Sequence, residues 1–257
     1  WQERLFRYAR KCKLLPFSTP FGEDSLKFLR KQKCQIFKIA SLESSHFPLL
    51  KSLAKTKKPI IISTGSATEK EISKSVKYLR NYGCKNLTIL KCTSVYPASP
   101  SDLNLLGIPY LKKKFNCRVG FSDHSKGINS ALTAISHGAE VIEKHVKLNN
   151  KVRSLDSKFS ITVDELKELV QKAKEVKDSL GKRYFLTNSE KYARMRRRSI
   201  IAVQNINKNE SLTKKNIGVL RPNIGLNPKY YDFLIGKKIN KKIKLGSPLK
   251  LSLIKKK

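Results

Sequence analysis

Two histidines close two apolar runs, Val119-Gly-Phe-Ser-Asp-His124 and Val141-Ile-Glu-Lys-His145, 21 residues apart. That spacing is about one strand–helix–strand repeat. In a parallel α/β barrel, consecutive strands finish on the same rim, where barrel active sites lie. Two imidazoles would then converge on one point, with Asp123 and Glu143 beside them. Imidazole suits a divalent transition ion, and neighbouring carboxylates orient the ring or complete the ligand set. His124 and His145 are therefore read as metal ligands. His46 and His137 lack this context and are read as structural. Lys38 lies inside the apolar run Phe37-Lys-Ile39. Burying an ammonium without an anion is costly, so Lys38 is read as a ligand-binding cation.

The elements that must position these groups alternate. β-type runs end at Phe17-Ser-Thr-Pro20, Phe37-Lys-Ile-Ala-Ser41, Ile60-Ile-Ile-Ser-Thr64, Leu87-Thr-Ile-Leu-Lys91, Val119-Gly-Phe-Ser122 and Val141-Ile-Glu143. Helical patterns lie between most of them: Ser25–Lys31, Thr68–Asn81 with the capping pattern Thr68-Glu-Lys-Glu71, and Ala-rich Asn129–His137 before Gly138. Polar residues gather at the strand ends: Thr19, Lys38, Ser41, Thr64, Thr93, Ser122, His124 and His145. A buried parallel strand is apolar throughout, so polar tips mark an active-site rim. For Ser63, Thr64 and Thr68, capping the next helix is at least as good a reading.

Six such runs precede residue 160. A closed (β/α)8 barrel needs eight strands and about 250 residues. The fold class is thus α/β, a TIM barrel lacking its first two βα units, which are expected before Trp1. An open six-stranded sheet is the alternative, but no Gly-rich phosphate loop accompanies it. A helix over Thr162–Leu180 ends at Gly181, and Arg-rich Lys182–Arg198 reads as a linker. From Ser199 the texture changes to short strands and turns. The division is a partial barrel over 1–181, a linker over 182–198 and a small β-rich domain over 199–257. About 60 residues bury little by themselves, so this domain is expected to pack on the barrel or on another subunit.

The 257 residues carry 55 Lys+Arg against 19 Asp+Glu, a net charge of +36. Such a field attracts phosphate backbones without sequence preference. Yet the charge is spread along the whole chain, with no groove-reading or base-stacking motif, so nucleic acid is not expected as the main partner. No apolar run approaches the roughly 18 residues that span a bilayer. The five cysteines form no C-x-x-C pair and read as reduced thiols of a cytoplasmic protein.

At these motifs the chain resembles the sialic acid (nonulosonic acid) synthase family. The resemblance rests on Phe17-Ser-Thr-Pro-Phe21, Phe37-Lys-Ile-Ala-Ser-Leu-Glu43, Ser63-Thr-Gly65, Leu90-Lys-Cys-Thr-Ser-Val-Tyr-Pro97 and the two histidine segments. Arg197-Arg-Ser199, Leu220-Arg-Pro222 and Leu234-Ile-Gly-Lys-Lys238 resemble its antifreeze-like (SAF) domain. Asp156-Ser-Lys-Phe-Ser160 and Arg221-Pro-Asn-Ile-Gly-Leu-Asn-Pro-Lys-Tyr230 favour the pseudaminic branch, with N-acetylneuraminate and legionaminate synthases as alternatives.

The resemblance implies condensation of phosphoenolpyruvate with an acylamino sugar, 2,4-diacetamido-2,4,6-trideoxy-altrose, to give a nonulosonic acid and phosphate. It implies a divalent metal, Mn²⁺ with Mg²⁺ or Co²⁺ as alternatives, held by His124 and His145. It implies a homodimer in which the small domain of one subunit covers the active site of the other. By motif position, Thr19, Lys38, Ser41 and Ser122 would bind phosphoenolpyruvate, and Ser94 and Tyr96 would line the site. Glu43 and Asp156 fall on carboxylates near metal or substrate, one of them a base for water. Arg221 falls on an arginine that reaches the neighbouring subunit's sugar. The family opens with two further βα units carrying a Glu and a Lys of the site. If the chain is the complete polypeptide, an incomplete barrel with little activity, or a binding remnant, is expected; if it is a fragment, the full enzyme is expected to be competent.

Overall fold

The computed structural model describes residues 1–181 and 186–255. They form two compact units, Trp1–Gly181 and Lys182–Lys257. In the first, helices α1 (Gln2–Lys11) and α2 (Glu23–Lys31) precede strand β1 (Phe37–Ile39). Then follow α3 (Phe47–Lys55), β2 (Ile60–Ser63), α4 (Glu69–Asn81), β3 (Leu87–Cys92), α5 (Gly107–Phe115), β4 (Arg118–Asp123), α6 (Asn129–Ser136) and β5 (Ile142–Lys144). β1 to β5 form one parallel sheet in sequence order.

Side chains alternate across a strand, and register carries the alternation through the sheet. Phe37, Ile60 and Leu87 are register neighbours, as are Ile39, Ile62, Ile89 and Val119. This set packs with Leu50 and Leu53 of α3, Val76 and Leu79 of α4 and Ile108 of α5 in the main core. Each such fully buried side chain stabilises the fold by about 1.5–3 kcal/mol. The opposite residues, Lys38, Ser63, Cys92, Ser122 and Glu143, therefore face the other side.

That side is concave. Flat strands spaced about 4.8 Å apart would put edge strands β1 and β5 roughly 19 Å from one another. Yet Lys38 Nζ of β1 lies 3.4 Å from Glu143 Oε2 of β5. The sheet curls into a half-barrel, an α/β fold with one face wrapped in helices and the other enclosing a hollow.

Two expectations change. Phe17-Ser-Thr-Pro20 forms no strand: Pro16 and Pro20 bracket it and donate no ladder hydrogen bond, and Phe17 is exposed. The sixth element is instead a short parallel pair beyond β5, β6 (Val146–Lys147) with β7 (Ile161–Thr162). Thr162 then caps α7 (Val163–Leu180), its side chain accepting from the Glu165 amide.

Residues 182–185 of the expected linker lie outside the described residues. The rest is partly helical, with α8 (Glu190–Ala193) and a 3-10 turn over Arg194–Arg196. In the second unit β8 (Ser199–Ala202) pairs antiparallel with β9 (Ile217–Leu220), followed by α9 (Tyr231–Leu234). Isolated bridges such as Ile206 to Ile243 complete it. It has its own core, including Ile200, Ile206, Leu212, Ile217, Leu234, Ile239 and Leu249.

Candidate active site

The two histidines stand together at the ends of β4 and β5, their ring centroids 5.4 Å apart. His124 is buried, and its backbone carbonyl accepts from the Ala98 amide at 3.0 Å. Its Nδ1 lies 2.9 Å from the Thr93 carbonyl. A carbonyl only accepts, so Nδ1 carries a proton, and in the neutral ring Nε2 keeps its lone pair. His145 Nδ1 lies 3.2 Å from Asp156 Oδ2, the carboxylate arriving from the turn Leu155–Lys158. Tyr96 stacks 4.2 Å from His124, and Phe159 packs 4.8 Å from His145 and 5.2 Å from Tyr96.

These surroundings push the imidazoles apart in basicity. Burial lowers the His124 pKa, but contacts with the Cys92 thiol and the Thr93 carbonyl outweigh it, leaving the net value raised. Burial holds His145 below its usual value, although Asp156 pushes the other way. Burial also tends to raise the Cys92 thiol, while His124 and Ser41 hold it below the usual range.

A second group faces the same hollow. Lys38 Nζ donates to Ser63 Oγ at 2.8 Å and to the Ile39 carbonyl at 3.3 Å. Ser122 Oγ donates to Glu143 Oε1 at 2.6 Å, and Ser122 and Glu143 are register neighbours on β4 and β5. Ser41 Oγ accepts from the Gly65 amide at 3.0 Å and donates to Cys92 Sγ at 3.5 Å. A Cβ on Gly65 would meet Ser94 Oγ at 2.0 Å and Ser41 Oγ at 2.8 Å, so these hydroxyls close in because no side chain stands there.

Lys38 and Ser122 are thus linked through Glu143, and Ser41, Ser94, Tyr96, His124, His145 and Asp156 through contacts running from Cys92, the register neighbour of Ser122. Three sequence candidates make their contacts outside this set. Thr19 lines a cavity of about 210 Å³ with Gln2, Phe6 and Phe28 of α1 and α2. Glu43, in a 3-10 turn, lies 3.4 Å from His46 Nδ1. Arg221 belongs to the second unit, on a surface hollow with Arg196, Arg197 and Arg198.

Asp123 also departs from the sequence reading, which placed it beside the imidazoles. Strand alternation turns it to the helix-covered face, where Oδ2 lies 2.8 Å from Lys144 Nζ. Its Oδ1 accepts from the Ser125 amide at 2.8 Å and hydroxyl at 2.7 Å. Ser63, read as a possible helix cap, is the acceptor for Lys38, whereas Thr68 does cap α4. Phe159 and Cys92 were missed. Cys92 was legible as the residue after Lys91 in an alternating strand; Phe159 depends on a long excursion after β5.

Relatives place this arrangement. The NeuB family profile matches residues 1–184, and the SAF domain profile matches residues 197–255. The chain belongs to the NeuB family. The pseudaminic acid synthase of Campylobacter jejuni serotype O:2 is 41% identical over 252 residues, covering 97% of this chain and 73% of that protein. The N,N'-diacetyllegionaminic acid synthase of the same strain is 35% identical over 246 residues, covering 94% and 74%. Among solved structures, the N-acetylneuraminic acid synthetase of Leptospira borgpetersenii, in complex with citrate, has a TM-score of 0.71 at 32% identity, covering 75% of this NeuB-family chain and 67% of that one.

Among the described residues, no three His, Cys, Asp or Glu side chains are gathered into a metal cage. The donor chemistry still fits a divalent ion held by two protein ligands. His124 Nε2 is uncommitted, and Asp156 backs His145 in the manner of a carboxylate–histidine pair.

Proposed function

We propose that this NeuB-family chain condenses phosphoenolpyruvate with 2,4-diacetamido-2,4,6-trideoxy-altrose, releasing phosphate and a nonulosonic acid. The carrying observation is one hollow with two chemistries: cation and hydroxyl donors at Lys38, Ser63 and Ser122, and an imidazole pair at His124 and His145. Phosphoenolpyruvate presents a phosphate and a carboxylate, which call for the first. The sugar aldehyde must be polarised, which calls for the second. The higher identity to a pseudaminic than to a legionaminic acid synthase of one strain supports the choice of sugar.

His124 and His145 would hold a divalent cation, Mn²⁺ in this reading, which when bound supplies Lewis acidity toward the aldehyde oxygen. Lys38, with Ser41 and Ser122, orients the enol so that its C3 faces the aldehyde carbon. Water then adds at C2, and phosphate leaves with its bridging oxygen. Asp156, beside His145, is the base for that water, and Tyr96 and Phe159 pack against the imidazoles and hold their orientation. A cytoplasmic homodimer whose second domain brings Arg221 to the neighbouring sugar completes the proposal.

The test is phosphate release with all three components, each omitted in turn. Release is expected only when phosphoenolpyruvate, the diacetamido sugar and Mn²⁺ are present together. Release without sugar, or activity that survives His124→Ala with His145→Ala, would sink the proposal. Preference for the legionaminic precursor sugar would move the chain to that branch.

A further inference from the structure

Glu143 is a carboxylate of the hollow that the proposed reaction leaves without a task, and it sits where an anionic substrate should. Its Oε1 accepts from Ser122 at 2.6 Å and its Oε2 lies 3.4 Å from Lys38 Nζ. One carboxylate thus occupies both a hydroxyl donor and the buried ammonium assigned to phosphoenolpyruvate. The neighbouring acids are committed elsewhere, Asp123 to Lys144 and Ser125, Asp156 to His145. Glu143 is held less firmly. Its side chain is 38% exposed to the hollow, against 9% for Lys38, and 3.4 Å is a long contact for an ion pair.

We propose that Glu143 is a built-in competitor for the substrate's anionic group. It fills the Lys38–Ser122 position in the free protein and is displaced when a phosphate or carboxylate enters. The arrangement keeps the buried Lys38 ammonium paired while the hollow is empty, which limits the penalty of burying it. It also lowers affinity for any anion too weak to displace a carboxylate, so the hollow discriminates against singly charged ions. The inference rests on the phosphoenolpyruvate reading of Lys38 and Ser122.

The test is calorimetric binding of phosphoenolpyruvate and of inorganic phosphate, without metal, to the wild type and to Glu143→Gln. Removing the competing charge should tighten binding by about tenfold. In a Lys38→Met background the same change should alter affinity by less than about threefold, since the competed partner is gone. Thermal melting checks that each variant folds. Unchanged or weaker binding by a folded Glu143→Gln overturns the inference. So does an equal gain in the Lys38→Met background, which would make the effect general repulsion. If neither protein binds either anion, the phosphoenolpyruvate reading fails as well; equal binding by both sinks only the role of Glu143.

Discussion

Asp123 and Lys144 join neighbouring strands β4 and β5 on the helix-covered face, while Lys38 and Glu143 join the edge strands β1 and β5 across the hollow. The first pair is dry, with side chains 0% and 2% exposed, and every oxygen of the carboxylate has a donor. The second is longer, and its carboxylate is partly open, with Glu143 38% exposed against 9% for Lys38. Strand alternation alone separates them: Ser122 and Glu143 are register partners facing in, and Asp123 and Lys144, one residue on, are register partners facing out. The outer pair sits directly beneath the two histidines in sequence and ties their strands together. The inner pair spans the space a ligand must enter. One sheet therefore uses the same chemistry once as a fastener and once as an exchangeable contact.

The largest effect should come from the fastener. Asp123→Ala would strand the Lys144 ammonium in the core, a loss of about 3–5 kcal/mol. The measurement is urea unfolding, with Asp123→Leu/Lys144→Met as companion. The companion should be more stable than the single variant, because no lone charge remains. A loss below about 1 kcal/mol in Asp123→Ala would show the pair is not dry, and the contrast with Lys38–Glu143 would collapse.

Gly120 offers a middle-sized effect that reaches both pairs at once. It precedes the paired residues on β4, and a Cβ there would meet the Val141 carbonyl at 2.3 Å and Leu90 Cδ2 at 2.7 Å. That carbonyl accepts from the Phe121 amide at 2.8 Å, so the clash lies on the β4–β5 seam itself. Gly120→Ala is expected to cost about 1–3 kcal/mol and to weaken phosphate binding, because Ser122 and Glu143 move with the seam. Full stability with normal binding would show that the seam is looser than the register implies.

What the sequence revealed follows from where side-chain chemistry meets periodicity. β2, β3 and β4 were legible because β-branched and aromatic runs ended in polar residues, as Ile60-Ile-Ile-Ser-Thr64 does. The histidine pair was legible for the same reason. Asp123 was misplaced because a strand covered on both faces shows no polar alternation to say which way it turns. The surroundings of Glu43 were not legible, because the 3-10 turn that carries it toward His46 spans three residues and leaves no period. Phe17–Pro20 looked like a strand by composition, but composition does not supply a neighbour to pair with.

The smallest stability effect should come from the exchangeable pair. Lys38→Met removes an ammonium whose partner Glu143 remains open to solvent and still accepts from Ser122. Glu143 can rehydrate, so no uncompensated buried charge is left, and the methionine fills most of the same volume. Unfolding free energy should change by less than about 1 kcal/mol. Phosphate and phosphoenolpyruvate binding should fall steeply in the same variant, since a buried cation facing the hollow is gone. A change in unfolding as large as that of Asp123→Ala would mean Lys38 and Glu143 hold the half-barrel closed as a structural strut. The hollow would then owe its shape to the pair, and a ligand that displaced Glu143 would loosen the sheet it binds to.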